Sequence, residues 1–163
     1  MGKDPKPTIT TIGLYGFTAA TFLERLQDAD VSLLLDVRQR RGVRRAEYAW
    51  ANSLRLQAVL AGAQIGYREL APTTELRRLQ YAEDHRQGLG KRTRRALATD
   101  YTRRYTSEIL NHADLAPAVA ALPTTGLAAL LCVERDPGAC HRSLIAGRIA
   151  DQFGVTIEHL RPR

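Results

Sequence analysis

Val31-Ser32-Leu33-Leu34-Leu35-Asp36-Val37 is the stretch on which the fold turns. Successive side chains of a β-strand point to opposite faces, so three consecutive leucines are all buried only where both faces are covered. That is the signature of a strand inside a parallel sheet with helices on either side. Upstream, Thr8 to Leu14 is rich in β-branched residues and reads as a strand ending at Gly13. Thr18 is placed to cap a helix whose apolar face carries Ala19, Phe22, Leu23 and Leu26. Downstream, a helix is expected from about Ser53 to Ala61 and a short strand around Ile65 to Leu70. A further helix near Pro117 to Ala121 precedes a strand from Leu127 to Val133. The last helix is expected from about Cys140 to just before Gly154, a C′ residue, with a closing strand over Val155 to His159. Residues 74–110 are polar and arginine-rich with a helical pattern broken by Gly88 and Gly90. The expectation is one α/β domain over residues 1–163, its sheet mostly parallel with helices on both faces. A helical insertion at about 74–110 and a flexible tail at 1–7 complete the reading.

Size and composition narrow the function classes. With 163 residues, 44% hydrophobic and 25% charged, the chain suits one soluble domain with a sizeable core. No apolar run approaches the roughly 18 residues of a membrane span, so no membrane partner is expected. The first residues lack the apolar centre of a secretory signal, and two cysteines do not make a disulfide scaffold, so the expected address is cytoplasmic. The net charge is +7, nearly all of it arginine, which offers planar bidentate donors suited to phosphate. Arg41, Arg44 and Arg45, with Tyr101 and Tyr105 sharing a helix face, are candidate nucleic-acid contacts.

Both cysteines lie in Leu131-Cys132-Val133-Glu134-Arg135-Asp136-Pro137-Gly138-Ala139-Cys140-His141-Arg142, at a strand-to-helix junction. A helix N-terminus favours negative charge, so Cys140 there is expected to ionise more easily, helped by Arg142 and by a protonated His141. Cys140 is a candidate nucleophile, with His141, Glu134 and Asp36 as acid, base or orienting groups. Arg38, Arg142, Gly13 and Ser143 are candidate phosphate contacts at strand ends and the helix start. Arg142 tops the stripe of Ile145, Ala146, Ile149 and Phe153, so it is expected to face the sheet and to need Asp36, Glu134 or a bound phosphate as partner. Cys132, inside an apolar strand, reads as a small core residue. The segment is no tyrosine-phosphatase loop, since neither cysteine has an arginine six positions on. Cys132, Cys140 and His141 do not match an established zinc spacing, and adjacent ligands strain a tetrahedron, so neither a metal nor another cofactor is expected.

Four stretches together resemble one family: Thr11-Ile12-Gly13 with Thr18 and Phe22; Asp36-Val37-Arg38; Leu70-Ala71-Pro72-Thr73 with Glu75-Leu76; and Cys132-x-Glu134 leading to Asp136-Pro137 and Cys140-His141-Arg142-Ser143. The chain is similar over about residues 8–160 to the prokaryotic family called domain of unknown function 488. The resemblance implies a compact α/β domain with its motif residues at one edge, and no particular reaction. It carries over Gly13, Asp36, Arg38, Glu134, Cys140, His141 and Arg142 as site residues. The chain departs from the family pattern in its arginines over Gln39–Arg45 and in Leu14 after the first glycine.

Three readings stay open from sequence. The first is an enzyme acting on a nucleotide, nucleoside or nucleic acid. The second is a non-catalytic basic module that binds nucleic acid, and the third a thiol redox or sulfur-handling protein with Cys132 as resolving thiol. All but the last expect a phosphate-bearing partner, and none fixes an oligomeric state.

Overall fold

In the computed structural model, which describes residues 8–38, 42–43, 45–69 and 99–163, strand β1 (Thr8–Gly13) leads through helix α1 (Ala19–Asp28) to β2 (Val31–Asp36). A 3₁₀ turn (Ala46–Ala51), α2 (Ser53–Gly62) and β3 (Gly66–Glu69) follow. From Thr99 the chain runs through α3 (Thr99–Arg104), a π turn (Tyr105–Ile109), a 3₁₀ turn (Leu110–His112) and α4 (Ala116–Ala120). Strand β4 (Leu127–Cys132), a 3₁₀ turn (Pro137–Ala139), α5 (His141–Phe153) and β5 (Thr156–Leu160) close the order. Among the described residues, the expected insertion is helical over its last part. Its remainder, the 70–76 motif, the tail, Arg41, Arg44 and the side chain of Tyr101 lie outside them.

The five strands form one sheet in the order β3-β2-β4-β1-β5, and every pairing is parallel. The leucine run behaves as its composition requires. Leu33 and Leu35 join Ala128, Leu130 and Cys132 on one face, packed against Ile145, Ala146 and Ile149 of α5. Leu34 joins Ile12, Ala129 and Leu131 on the other, under Phe22 and Leu26 of α1 and Leu56 and Leu60 of α2. Each fully buried leucine stabilises the fold by about 1.5–3 kcal/mol relative to exposure.

Local chemistry sets the helix ends. Thr18 accepts from the Thr21 amide at 3.2 Å, and the Thr21 hydroxyl accepts from the Thr18 amide at 2.9 Å, a reciprocal cap on α1. Helix α5 starts after Cys140, whose backbone is extended, and stops at Gly154, whose φ of 69° is left-handed. The stripe on α5 buries Arg142, Ile145, Ala146 and Ile149, while Phe153 is exposed, one turn past the end of that buried face.

Register brings the functional edge together. Gly13 on β1 lies level with Cys132 on β4, and Asp36 on β2 lies level with Leu131. Strand β4 is wedged between β1 and β2. The chain leaves β1 toward β2 on one side and leaves β4 toward β5 on the other. The carboxyl ends of β1 and β4 therefore flank a topological switch point, where open α/β sheets form their crevice.

Candidate active site at the strand ends

Cys132 closes β4 with its sulfur on the α5 face, and the step-of-two geometry of the strand carries Glu134 to the same side. The Cys132 thiol lies 3.9 Å from Glu134 Oε2 and 3.8 Å from both ring nitrogens of His141. His141 donates from Nε2 to the Val37 carbonyl at 2.8 Å, which fixes the neutral ring's tautomer and leaves Nδ1 with the lone pair. The Tyr105 ring stacks beside the imidazole at a centroid distance of 5.7 Å. The ligand atoms of Cys132, Cys140 and His141 all lie within 4.8 Å of one another. Two thiols, an imidazole and a carboxylate thus share one small volume, and these are the residues able to hold a metal ion.

Cys140 corrects an expectation. It stands at the α5 N-cap, but its thiol is buried in the core beside Cys132. Burial pushes the Cys140 thiol well up, reinforced by its hydrogen bond to Cys132 and by the nearby Glu134 carboxylate, with His141 opposing. Loss of hydration thus works against the easier ionisation that the helix start suggested. Cys132, read from sequence as core packing, is the hub that touches Glu134, His141 and Cys140. The Cys132-x-Glu134 alternation was the signal available for it.

Arg142 is fully buried, as its place on the stripe implied, but its partners differ from those expected. Nη1 donates to the Glu134 carbonyl at 2.6 Å and Nη2 to the Arg135 carbonyl at 3.4 Å. Its Nε has no hydrogen-bond partner among the described residues. Gly13 is required by this arrangement. A Cβ there would sit 1.9 Å from the Glu134 carbonyl oxygen and 3.1 Å from Arg142 Nη1. Ser143, expected at an anion, donates to the Cys140 carbonyl at 2.8 Å within the first turn of α5.

Asp36 and Arg38 form a second unit. Arg38 Nε and Nη2 donate to the two Asp36 carboxylate oxygens at 2.9 and 2.8 Å, and Nη1 donates to the Ala51 carbonyl at 2.8 Å. The Tyr67 hydroxyl donates to Asp36 Oδ2. Burial alone would lower the Arg38 pKa, and the paired carboxylate more than offsets it, so the guanidinium is held up. Burial also raises Tyr67, and its bond to Asp36 raises it further, which keeps the hydroxyl a donor. Asp36 was expected either to orient His141 or Arg142 or to serve as a strand-end hydrogen-bond acceptor, and its bonds to Arg38 and Tyr67 fit the second. Arg38 is 1% exposed and turned inward onto Asp36 and Ala51, not outward toward a phosphate. Tyr67 and the Ala51 and Val37 carbonyls were missed, having no sequence signal beyond their strand or turn.

Of the nucleic-acid contacts read from sequence, Arg45 and Tyr105 have described side chains, and these two stand in different surroundings. Tyr105 is buried against His141, whereas Arg45 is exposed and paired with Glu47 at 2.6 Å.

Fold and cluster together define a parallel α/β protein with a thiol–imidazole–carboxylate group at its topological switch point. Residues 18–149 match the family described as Domain of unknown function DUF488, and the chain belongs to it. The match spans α1 to α5 and includes Asp36, Arg38, Glu134 and Cys140 to Ser143, while Gly13 precedes it. No curated protein and no solved structure matches the chain. Among the described residues, no helix is long and apolar enough to cross a membrane.

Proposed function

We propose that this chain is an enzyme acting on a phosphate-bearing substrate of the nucleotide, nucleoside or nucleic-acid class, in a reducing cytoplasm. The observation that carries the reading is the gathering of Cys132, Glu134, Cys140 and His141 within contact at the carboxyl end of β4. Buried thiol, imidazole and carboxylate groups in mutual contact at such a crevice are the equipment of proton transfer and nucleophilic chemistry. Arg142 supports an anionic substrate. It is a buried guanidinium with two backbone carbonyls as partners, and among the described residues no carboxylate lies within ion-pairing distance. The net charge of +7 favours the approach of phosphate.

In this reading Glu134 moves the proton, the Val37 carbonyl holds His141 in place, and Arg142 and the start of α5 face the anion. The motif arginines Arg38 and Arg142 are inside the protein, an arrangement suited to a crevice and unsuited to a basic binding surface. The test is turnover of a panel of nucleotides, nucleosides and short oligonucleotides by wild type and Glu134→Gln. The expected result is a loss of roughly 10²–10⁴-fold in kcat with substrate binding retained. Oligonucleotide binding that falls steeply with salt, without turnover and unaffected by Glu134→Gln, would instead make the chain a nucleic-acid-binding module.

A further inference from the structure

We infer that Cys132, Cys140 and His141 form a binding site for one divalent transition-metal ion of the zinc class, with a water in the fourth position facing Glu134. The metal site stands apart from the choice of substrate. Only the use of its water by Glu134 rests on the enzymatic reading above.

Three observations carry it. First, the three ligand atoms lie within 4.8 Å of one another, and the Cys132 sulfur is 3.8 Å from His141 Nδ1. The edges of a tetrahedral zinc site built from usual Zn–S and Zn–N distances are about 3.6–3.8 Å. A small inward movement of side chains completes the site.

Second, the imidazole has the tautomer a ligand needs. Its Nε2–H is committed to the Val37 carbonyl at 2.8 Å, which leaves the lone pair on Nδ1, 3.8 Å from the Cys132 sulfur. Metal-bound histidines almost always donate their other ring N–H to a carbonyl or carboxylate in this way.

Third, the backbone removes the strain that adjacent ligands would otherwise impose. Cys140 is extended at φ −137° and ψ 144°, and His141 is the first helical residue, so two neighbours in sequence reach one point from different directions.

The donor set selects the ion. Two thiolates and one imidazole suit zinc, whereas magnesium and calcium require oxygen ligands. Three protein ligands with an open fourth place is the arrangement of catalytic zinc, in contrast to closed structural sites. Glu134 Oε2 is 3.9 Å from the Cys132 sulfur, so a buried carboxylate stands beside the ligand set, the type of group that takes a proton from metal-bound water. Binding balances as one ion taken up and two thiol protons released to solvent, with no change of oxidation state.

The experiment is an anaerobic titration of the reduced, chelator-stripped full chain with Co²⁺ alone. It is followed by absorption and by proton release to a pH indicator. The expected result is saturation at one ion per chain, with a near-ultraviolet sulfur-to-cobalt band and intense visible bands of tetrahedral cobalt. Two protons are released per ion, and Zn²⁺ then bleaches the spectrum. Cys132→Ser and Cys140→Ser should each leave about half of the sulfur band. His141→Gln should weaken the visible bands, and His159→Gln should change nothing. A weak octahedral spectrum with no sulfur band in wild type overturns the site, as does a sulfur band unchanged in both cysteine variants. If both variants fail to fold by circular dichroism, the wild-type band and proton count decide alone. A chain that binds cobalt as described yet turns over no substrate would overturn the enzymatic reading and leave the metal site standing.

Discussion

At the scale of single residues, the decisive contrast is between two buried guanidiniums. Arg38 is matched atom for atom by Asp36, with Tyr67 and the Ala51 carbonyl completing the unit. Among the described residues, Arg142 has two backbone carbonyls as partners and none at Nε. The first is a structural ion pair that locks the end of β2 to the turn before α2. Asp36→Ala would leave Arg38 charged and uncompensated in the interior, at a cost of about 3–5 kcal/mol. Urea unfolding of wild type and variant measures it, and a loss below 1 kcal/mol would show the pair to be dispensable. His159 supplies a pH signature. Its ring nitrogen Nδ1 is 2.6 Å from Thr11 Oγ1, and burial, then Arg142 and Arg161, hold its pKa below the ordinary imidazole value, with Asp136 opposing. A folded-state pKa below the unfolded one means that the unfolded chain binds more protons. This contribution is present above the ordinary imidazole value and lost as pH falls toward the lowered one. Thermal unfolding between about pH 5 and 8 should therefore show wild type losing more stability on acidification than His159→Gln.

At the scale of elements, the strand and helix ends place the chemistry. Cys132, Gly13 and Asp36 stand at the ends of three parallel strands, brought level by register alone. The extended Cys140 and the helical His141 meet at the start of α5. The reciprocal cap of Thr18 and Thr21 starts α1, the helix that seals the opposite face of β1. Thr18→Ala should cost about 1 kcal/mol, read as a lowered urea midpoint with unchanged slope. A change of slope would instead indicate that the cap governs more than the first turn. The start of α1 was legible because its capping chemistry is local. The 3₁₀ turn Ala46–Ala51 was not, because its residues are fixed by tertiary contacts: Tyr48 accepts from the Gly16 amide at 3.0 Å, and Trp50 packs on Phe22 at a centroid distance of 5.0 Å.

At the scale of the whole molecule, an all-parallel sheet concentrates its reactive groups at one edge. Most of that architecture was readable from sequence, since Leu33 to Leu35 require two covered faces and the strand and helix patterns alternate. The candidates Cys140, His141 and Arg142 were readable as well, and they lie together at the end of β4. What each residue does there was not. Ionisation depends on burial, and the helix start that suggested an easily ionised Cys140 gave no account of its loss of water. The pairing of Asp36 with Arg38 and Tyr67, and the placing of Cys132 at the hub, depend on side-chain directions that spacing leaves open. In the proposed reading, exposed charge attracts phosphate and the chemistry lies at the sheet edge.

That location is tested most directly by ¹H–¹⁵N NMR titration of the full chain with nucleoside mono-, di- and triphosphates at two salt concentrations. The account predicts saturable shifts concentrated at the amides of Gly13 to Tyr15, Val133 to Arg135 and Cys140 to Ser143, persisting at the higher salt. Shifts spread over exposed basic positions such as Arg68 and Arg103, disappearing with salt and sparing the sheet edge, would contradict it.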